Sequence, residues 1–233
     1  ESESRGLGDV YKRQDLDMAA DAAVSAAYGA AGQRCMAISV LVAVGNIGDE
    51  LVEKIATRIP HIKVGPTSDR EVQLGPVISG DSQQRIHGYI NDAEHYGATL
   101  SVDGRLDDDS QGWLVGATLV DHVKPGMPVY DNEVFGPVLS VVRASTYDEA
   151  MDIIAGHPLG NGAAIFTRDG GAAKHYADSV QAGMVGINVP IPVPPWSHSF
   201  GGWKDSAFTD SKISGPESLN SVSYTHLTLP TTD

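Results

Sequence analysis

The sequence is short of cysteine, of positive charge and of long apolar runs, and each shortage excludes something. Cys35 is the only cysteine among 233 residues, so no internal disulfide can form. The first residues hold no basic stretch followed by an apolar one, the mark of a secretory leader. A reducing compartment is therefore expected, the cytoplasm or, in a eukaryote, the mitochondrial matrix. Sixteen Lys and Arg stand against thirty Asp and Glu, a formal net charge of −14. Neutralising phosphates needs clustered cations, so nucleic acid is excluded as a main ligand. The longest apolar stretch, Met36 to Val44, is broken by Ser39 and falls far below the roughly 20 residues of a membrane helix. No membrane partner is expected. Eight histidines occur, but no pair has a helix-face ligand spacing, and His87 and His95 lack a third ligand nearby; no metal is predicted. Gly160-Asn161-Gly162 and Gly170-Gly171 lack both the lysine of a phosphate loop and the spacing of a dinucleotide fingerprint, and read as turns.

What is present is the balance of an ordinary globular chain, 41% hydrophobic and 20% charged, long enough for one substantial core. Residues 1–14 and 221–233 carry no periodicity and read as non-native tails of the kind left by sequencing-adapter DNA. Between them, Asp15 or Asp17 can cap a helix running to Ala30, with Ala19, Ala22, Ala23, Ala26, Ala27 and Ala30 on its inner face. Ile38 to Val44 reads as a buried strand, and Asp49 to Ile59 as a helix facing inward through Leu51, Val52, Ile55 and Ile59. A further helix is predicted over Asp81 to Tyr96, ending at Gly97. Strands at Val138–Val142, Ala163–Phe166 and Met184–Asn188 then alternate with helices at Tyr147–Ala155 and Ala172–Val180. The prolines at 190, 192, 194 and 195 forbid regular structure there and predict a loop. The alternation predicts an α/β fold with a largely parallel sheet flanked by helices, the strands at 38, 138, 163 and 184 sharing one sheet. Asp107, Asp108 and Asp109 read as a solvated loop.

Cys35 lies in Gly32-Gln33-Arg34-Cys35, between the Ala-rich helix and the first strand. Gly32 permits a turn that presents the thiol, Arg34 is an adjacent cation that favours thiolate, and the Cys35 N–H can be left free to serve an oxyanion. A lone cysteine can equally be inert packing, and composition alone does not decide between the two. Four blocks point one way. Tyr28-Gly-Ala-Ala-Gly-Gln-Arg-Cys-Met-Ala37 resembles the nucleophile segment of aldehyde dehydrogenases. Asn132-Glu-Val-Phe-Gly-Pro137, Ala182-Gly-Met-Val-Gly-Ile-Asn188 and Ser199-Phe-Gly-Gly-Trp-Lys-Asp-Ser206 are similar to that family's later motifs, in the same order. The resemblance runs from about Asp15 to about Asn220.

The resemblance implies an aldehyde dehydrogenase catalytic domain over 15–196 and a segment over 197–220 returning toward the cofactor domain, most of which is missing. It implies NAD as cofactor, Cys35 as nucleophile, Glu133 on the nicotinamide ribose hydroxyls and Phe135 against the nicotinamide side, with Asn188 in the substrate site. Each has a plainer reading: Glu133 a solvated loop charge, Phe135 a core aromatic, Asn188 a turn amide. Arg34, Asn188-Val-Pro-Ile-Pro-Val-Pro194 and Ser199-Phe-Gly-Gly-Trp-Lys204 resemble the CoA-acylating, methylmalonate-semialdehyde branch. That branch implies CoA as co-substrate, a small aldehyde bearing a carboxylate, and Arg34 as the guanidinium that binds it, against the plainer reading of a surface ion pair. A homotetramer is implied for the full-length form. The family's second oxyanion donor and its hydrolytic general base lie upstream of this sequence, which predicts a fragment inactive alone. Three other readings stay open: another aldehyde dehydrogenase with hydrolytic release, a cysteine hydrolase using His157, His175 or His198 as base, and a non-enzymatic domain with Cys35 buried.

Overall fold

The computed structural model describes residues 15–106, 112–207 and 214–219. The two tails and the Asp107–Asp109 loop therefore lie outside the described residues. The chain opens with α1, Leu16–Tyr28, whose N-cap Asp15 accepts from the Met18 N–H. Its buried face is Ala19, Ala20, Ala23, Ala26, Ala27 and Tyr28. Ala30 drops out of that face because the helix stops at Tyr28 and Ala30 takes a left-handed backbone, φ +53°. Strand β1, Val40–Val44, comes next, then α2, Gly48–Arg58, with Leu51 and Ile55 buried. Asp17 and Asp21 of α1 pair with Lys54 and Arg58 of α2 and fasten the two helices together.

Helix α3, Gly80–His95, is capped by Ser79, which accepts from the Ser82 N–H. It buries Ile86, Ile90 and Ala93 and ends before Gly97 at φ +89°, the left-handed stop expected there. Strands β2, Thr99–Val102, and β3, Thr118–Asp121, come next. After the short α4, Pro128–Asp131, strand β4 spans Val138–Ala144. Helix α5, Tyr147–Gly156, leads to β5, Leu159–Gly160, and β6, Gly162–Ile165. Helix α6, Gly170–Ser179, leads to β7, Met184–Ile187, and β8 is Trp203–Lys204.

The main sheet has the order β1-β4-β3-β2, parallel except for β2. β4 is its centre: Val138, Leu139, Val141 and Val142 are at most 2% exposed, as expected of a parallel strand covered on both faces. Each such side chain contributes roughly 1.5–3 kcal/mol on burial. The expectation of a single shared sheet is corrected by the pairing. β6 and β7 pair in parallel with each other and form a separate two-stranded sheet, as do β5 and β8. All four expected strands exist, but periodicity along a chain carries no information about which edges meet.

Candidate active site

The segment carrying Cys35 is held by four attachments, three of them ahead of the cysteine. The Tyr28 hydroxyl, buried, donates to the Thr118 carbonyl at 3.0 Å, and burial pushes its pKa far above the usual tyrosine range. Ala30, Ala31 and Gly32 then succeed one another at φ +53°, +56° and +65°. Non-glycine residues in this region cost roughly 1–2 kcal/mol each, so the surrounding packing enforces the turn. Gly32 lies so close to the second block that an added Cβ would sit 2.1 Å from the Gly136 carbonyl oxygen. The nucleophile segment and the Glu133 segment are thereby locked together backbone against backbone. The Gln33 side chain accepts from the Ile78 N–H at 3.1 Å, while its buried Nε2 has no partner.

Cys35 itself is exposed. Its carbonyl accepts from Asn161 Nδ2 at 2.9 Å, which also lies 3.3 Å from Met36 Sδ. Among the described residues the Cys35 N–H has no acceptor, as an oxyanion donor requires. Cys35 opens on a cavity of about 920 Å³ whose polar lining includes Asn132, Glu133, Asn161 and His157. Glu133 is exposed on its rim, and its carboxylate has no partner among the described residues. The Glu133–Val134 backbone is fixed from α3, where Arg85 donates to the Val134 carbonyl at 2.6 Å. Gly136 fits over Ile86, with no room for a Cβ.

The fourth block meets the same cavity through Phe200, Gly201, Gly202 and Ser206. Lys204 Nζ donates to the carbonyls of Ile154, Ala155 and His157, a cation on the open end of α5. The Ser206 hydroxyl accepts from the Gly160 N–H. Gly183 of the third block approaches the Gly201 carbonyl so closely that a Cβ would lie 1.9 Å away. Three segments spread over some 180 residues thus meet at the cavity, and the third block packs against the fourth.

Not every expected residue faces the cavity. Arg34 is exposed beside Cys35 with its guanidinium folded against Gly29, and it makes no salt bridge among the described residues. Phe135 is 37% exposed at φ +47°, off the cavity lining and outside the core. The Asn188 amide is fully engaged: Oδ1 accepts from the Thr167 N–H at 2.9 Å and Nδ2 donates to the Thr167 carbonyl at 3.0 Å. It ties the ends of β6 and β7, the turn role. Sequence reasoning misses Asn161 and Lys204 as site residues. An amide between two glycines is the one sign Asn161 offers, since glycine neighbours let a side chain reach foreign backbone.

The histidines bear on the hydrolase reading. His157 lines the cavity, but its Nε2 faces the Tyr130 carbonyl at 3.2 Å and its Nδ1 accepts from the Leu159 N–H at 3.1 Å, leaving no lone pair for a thiol. His175 pairs with the Tyr147 hydroxyl and His198 with Ser197.

The aldehyde dehydrogenase family profile matches residues 9–227. The chain belongs to the aldehyde dehydrogenase family. It is 46% identical over 209 residues to a malonate-semialdehyde dehydrogenase of Pseudomonas aeruginosa, covering 88% of this chain and 42% of that protein. The structure of methylmalonate-semialdehyde dehydrogenase from Oceanimonas doudoroffii superposes with a TM-score of 0.86 at 50% identity, over 89% of this chain and 43% of that one. Betaine aldehyde dehydrogenase from Staphylococcus aureus, solved with NAD+, gives a TM-score of 0.84 at 30% identity, over 90% and 42%. This aldehyde dehydrogenase chain spans less than half the length of those relatives. Among the described residues no helix is long and apolar enough to cross a membrane.

Proposed function

We propose that this chain is the catalytic-domain part of an NAD-dependent dehydrogenase that converts malonate or methylmalonate semialdehyde to acetyl-CoA or propionyl-CoA. The observation that carries the reading is the exposed Cys35, its N–H without an acceptor among the described residues, held at a cavity that Glu133 and the Phe200–Ser206 segment also line. The names of the Pseudomonas and Oceanimonas relatives supply the substrate class.

In this reading the Cys35 thiolate attacks the aldehyde carbon, forming a C–S bond and moving the carbonyl electron pair onto oxygen. The free Cys35 N–H donates to that oxyanion. NAD, when bound, supplies the acceptor for the hydride that leaves the aldehyde carbon. Glu133, whose carboxylate on the rim has no partner among the described residues, suits the two hydroxyls of a ribose, and Phe135 stands one residue beyond its buried neighbour Val134. The fit covers the nicotinamide end alone, for the described residues hold no glycine-rich dinucleotide loop. The substrate carboxylate leaves as CO2, the electron pair of the broken C–C bond passing to the α-carbon, which takes up a proton; the acyl group then passes from Cys35 to the CoA thiol, which releases one proton and restores the Cys35 thiolate. Arg34, beside the nucleophile and without a salt bridge among the described residues, is free to turn from Gly29 and bind that carboxylate in bidentate fashion.

As it stands the chain is proposed to be inactive, because loss of one oxyanion donor alone costs about 10²- to 10³-fold in turnover. The active form is proposed to work in the cytoplasm or mitochondrial matrix as a homotetramer. Two tests separate the readings. Iodoacetamide at neutral pH should alkylate the present chain once, at Cys35; resistance to alkylation would favour inert packing. In an enzyme completed with the missing half, Arg34→Leu should depress oxidation of the semialdehyde acids far more than that of propanal. Equal loss on both would remove Arg34 from substrate binding.

A further inference from the structure

Gly29 is a glycine that the backbone does not call for. It caps the C-terminal end of α1 at φ −55° and ψ 134°, an extended conformation open to every residue. What fills the place of its missing side chain is Arg34. A Cβ on Gly29 would lie 2.8 Å from Arg34 Nη2, 3.3 Å from Cζ and 3.8 Å from Nη1, the three nearest atoms outside its own stretch of chain. The left-handed run at 30–32 brings the two residues together. It reverses the chain, the Gln33 N–H donates to the Ala30 carbonyl at 3.0 Å, and Arg34 returns over the helix end.

The place also suits a cation. Carbonyls left open at a helix C-terminus carry partial negative charge and attract positive groups. The last turn of α1 holds no basic residue of its own. Arg34, exposed and without a salt bridge among the described residues, brings the guanidinium to it from the following turn. Cys35 lines the cavity while neither Gly29 nor Arg34 does, so this guanidinium rests outside the cavity although it belongs to the residue before the nucleophile.

We infer that Gly29 is a positioning residue for substrate specificity, the berth in which the Arg34 guanidinium rests until a carboxylate beside Cys35 draws it off. This rests on the reading of Arg34 as the group that binds the substrate carboxylate. Berth and carboxylate compete for one cation, so the apparent affinity for the carboxylate is reduced by the share of molecules in which the guanidinium is berthed. A neutral aldehyde leaves the guanidinium where it is. The strength of the berth therefore sets how far an acidic aldehyde is favoured over a neutral one. Gly29→Ala fills the berth without changing the protein's charge or straining the backbone, and the atoms it displaces belong to an exposed, flexible side chain.

Two alkylating reagents of nearly equal size test this on the full 233-residue chain. With either one the Cys35 thiolate forms a C–S bond and iodide leaves with the electron pair of the broken C–I bond, but iodoacetate carries a carboxylate where iodoacetamide carries a neutral amide. Both require the same thiolate, so the ratio of their rate constants is independent of the thiol's own ionisation and reports carboxylate recognition beside it. Arg34→Leu should lower the iodoacetate-to-iodoacetamide ratio. Gly29→Ala should raise it about 2- to 5-fold, the factor that a cation's attraction to a helix C-terminus represents. The double variant should match Arg34→Leu alone. A ratio that Gly29→Ala leaves unchanged or lowers, while Arg34→Leu lowers it, would overturn the berth and leave the substrate reading standing. A rise that persists in the double variant would mean that the methyl group acts through the fold, and would overturn the proposal as well. If Arg34→Leu leaves the ratio unchanged, Arg34 meets no carboxylate at the thiol, and the substrate reading falls together with the berth.

Discussion

At the scale of single residues, the site depends more on glycine and amide positions than on its charged groups. Gly32 must adopt φ +65° and must lie within reach of the Gly136 carbonyl, so Gly32→Ala meets both backbone strain and a backbone clash. We expect it to destabilise the chain by more than about 2 kcal/mol in denaturant titrations. Asn161→Ala removes one hydrogen bond to the Cys35 carbonyl and should cost only about 1 kcal/mol. It should nevertheless change the rate of Cys35 alkylation, since it frees the loop that presents the thiol; an unchanged rate would show that the loop is held by its backbone turn alone. Cys35 and Glu133 are legible in the sequence because their motifs are local. Asn161 is not, because its partner is more than one hundred residues away and nothing in Gly-Asn-Gly distinguishes a turn from a tether. Asn188 shows the converse: the plainer reading, a turn amide, describes the hydrogen bonds it makes to Thr167.

Among the elements, one buried ion pair joins β3 to β4 and to the start of α2. Asp121, 4% exposed, accepts from Arg143 Nε at 2.8 Å and Nη2 at 2.6 Å and from the His122 N–H at 2.7 Å. Burial pulls its pKa upward, but the Arg143 and His122 hydrogen bonds outweigh that and hold it below the usual aspartate value of 3.8. A carboxylate depressed in the folded state stabilises at pH values above its unfolded pKa, and the stabilisation is lost as pH falls through the folded value. Asp121→Asn should therefore cost about 3 kcal/mol near pH 7, leaving Arg143 partly buried without its partner, and the gap to the parent chain should narrow at about pH 3. A gap independent of pH would assign the loss to packing. Helices α1, α2, α3, α5 and α6, the Asp15 cap, the Gly97 stop and the strands of the α/β alternation are readable from period and punctuation; the caps Ser79, Thr146 and Asp169 and the short α4 are not. β2 and β3, TLSV and TLVD, escape such a reading because two of the four residues in each are polar, whereas the equally short β6 and β7 have no polar residue. That β1 and β6 end up in different sheets is invisible to period altogether.

For the whole molecule, the meeting of three distant blocks at one cavity, with the third block packed against the fourth, is what links sequence to chemistry, and it rests on close backbone approaches at Gly32 and Gly183. Block order can be read from the sequence; the closure of the blocks around a thiol cannot. The chain spans less than half of its relatives, and the activity proposed above is that of the completed protein. The most direct measurement is NADH formation from malonate semialdehyde by this chain completed with the missing portion of the Pseudomonas aeruginosa relative, with and without CoA, and again with Cys35→Ala. The account predicts CoA-dependent NADH formation that disappears in Cys35→Ala and is negligible in the chain alone. NADH formation that persists in Cys35→Ala, or that proceeds equally well without CoA, would contradict it.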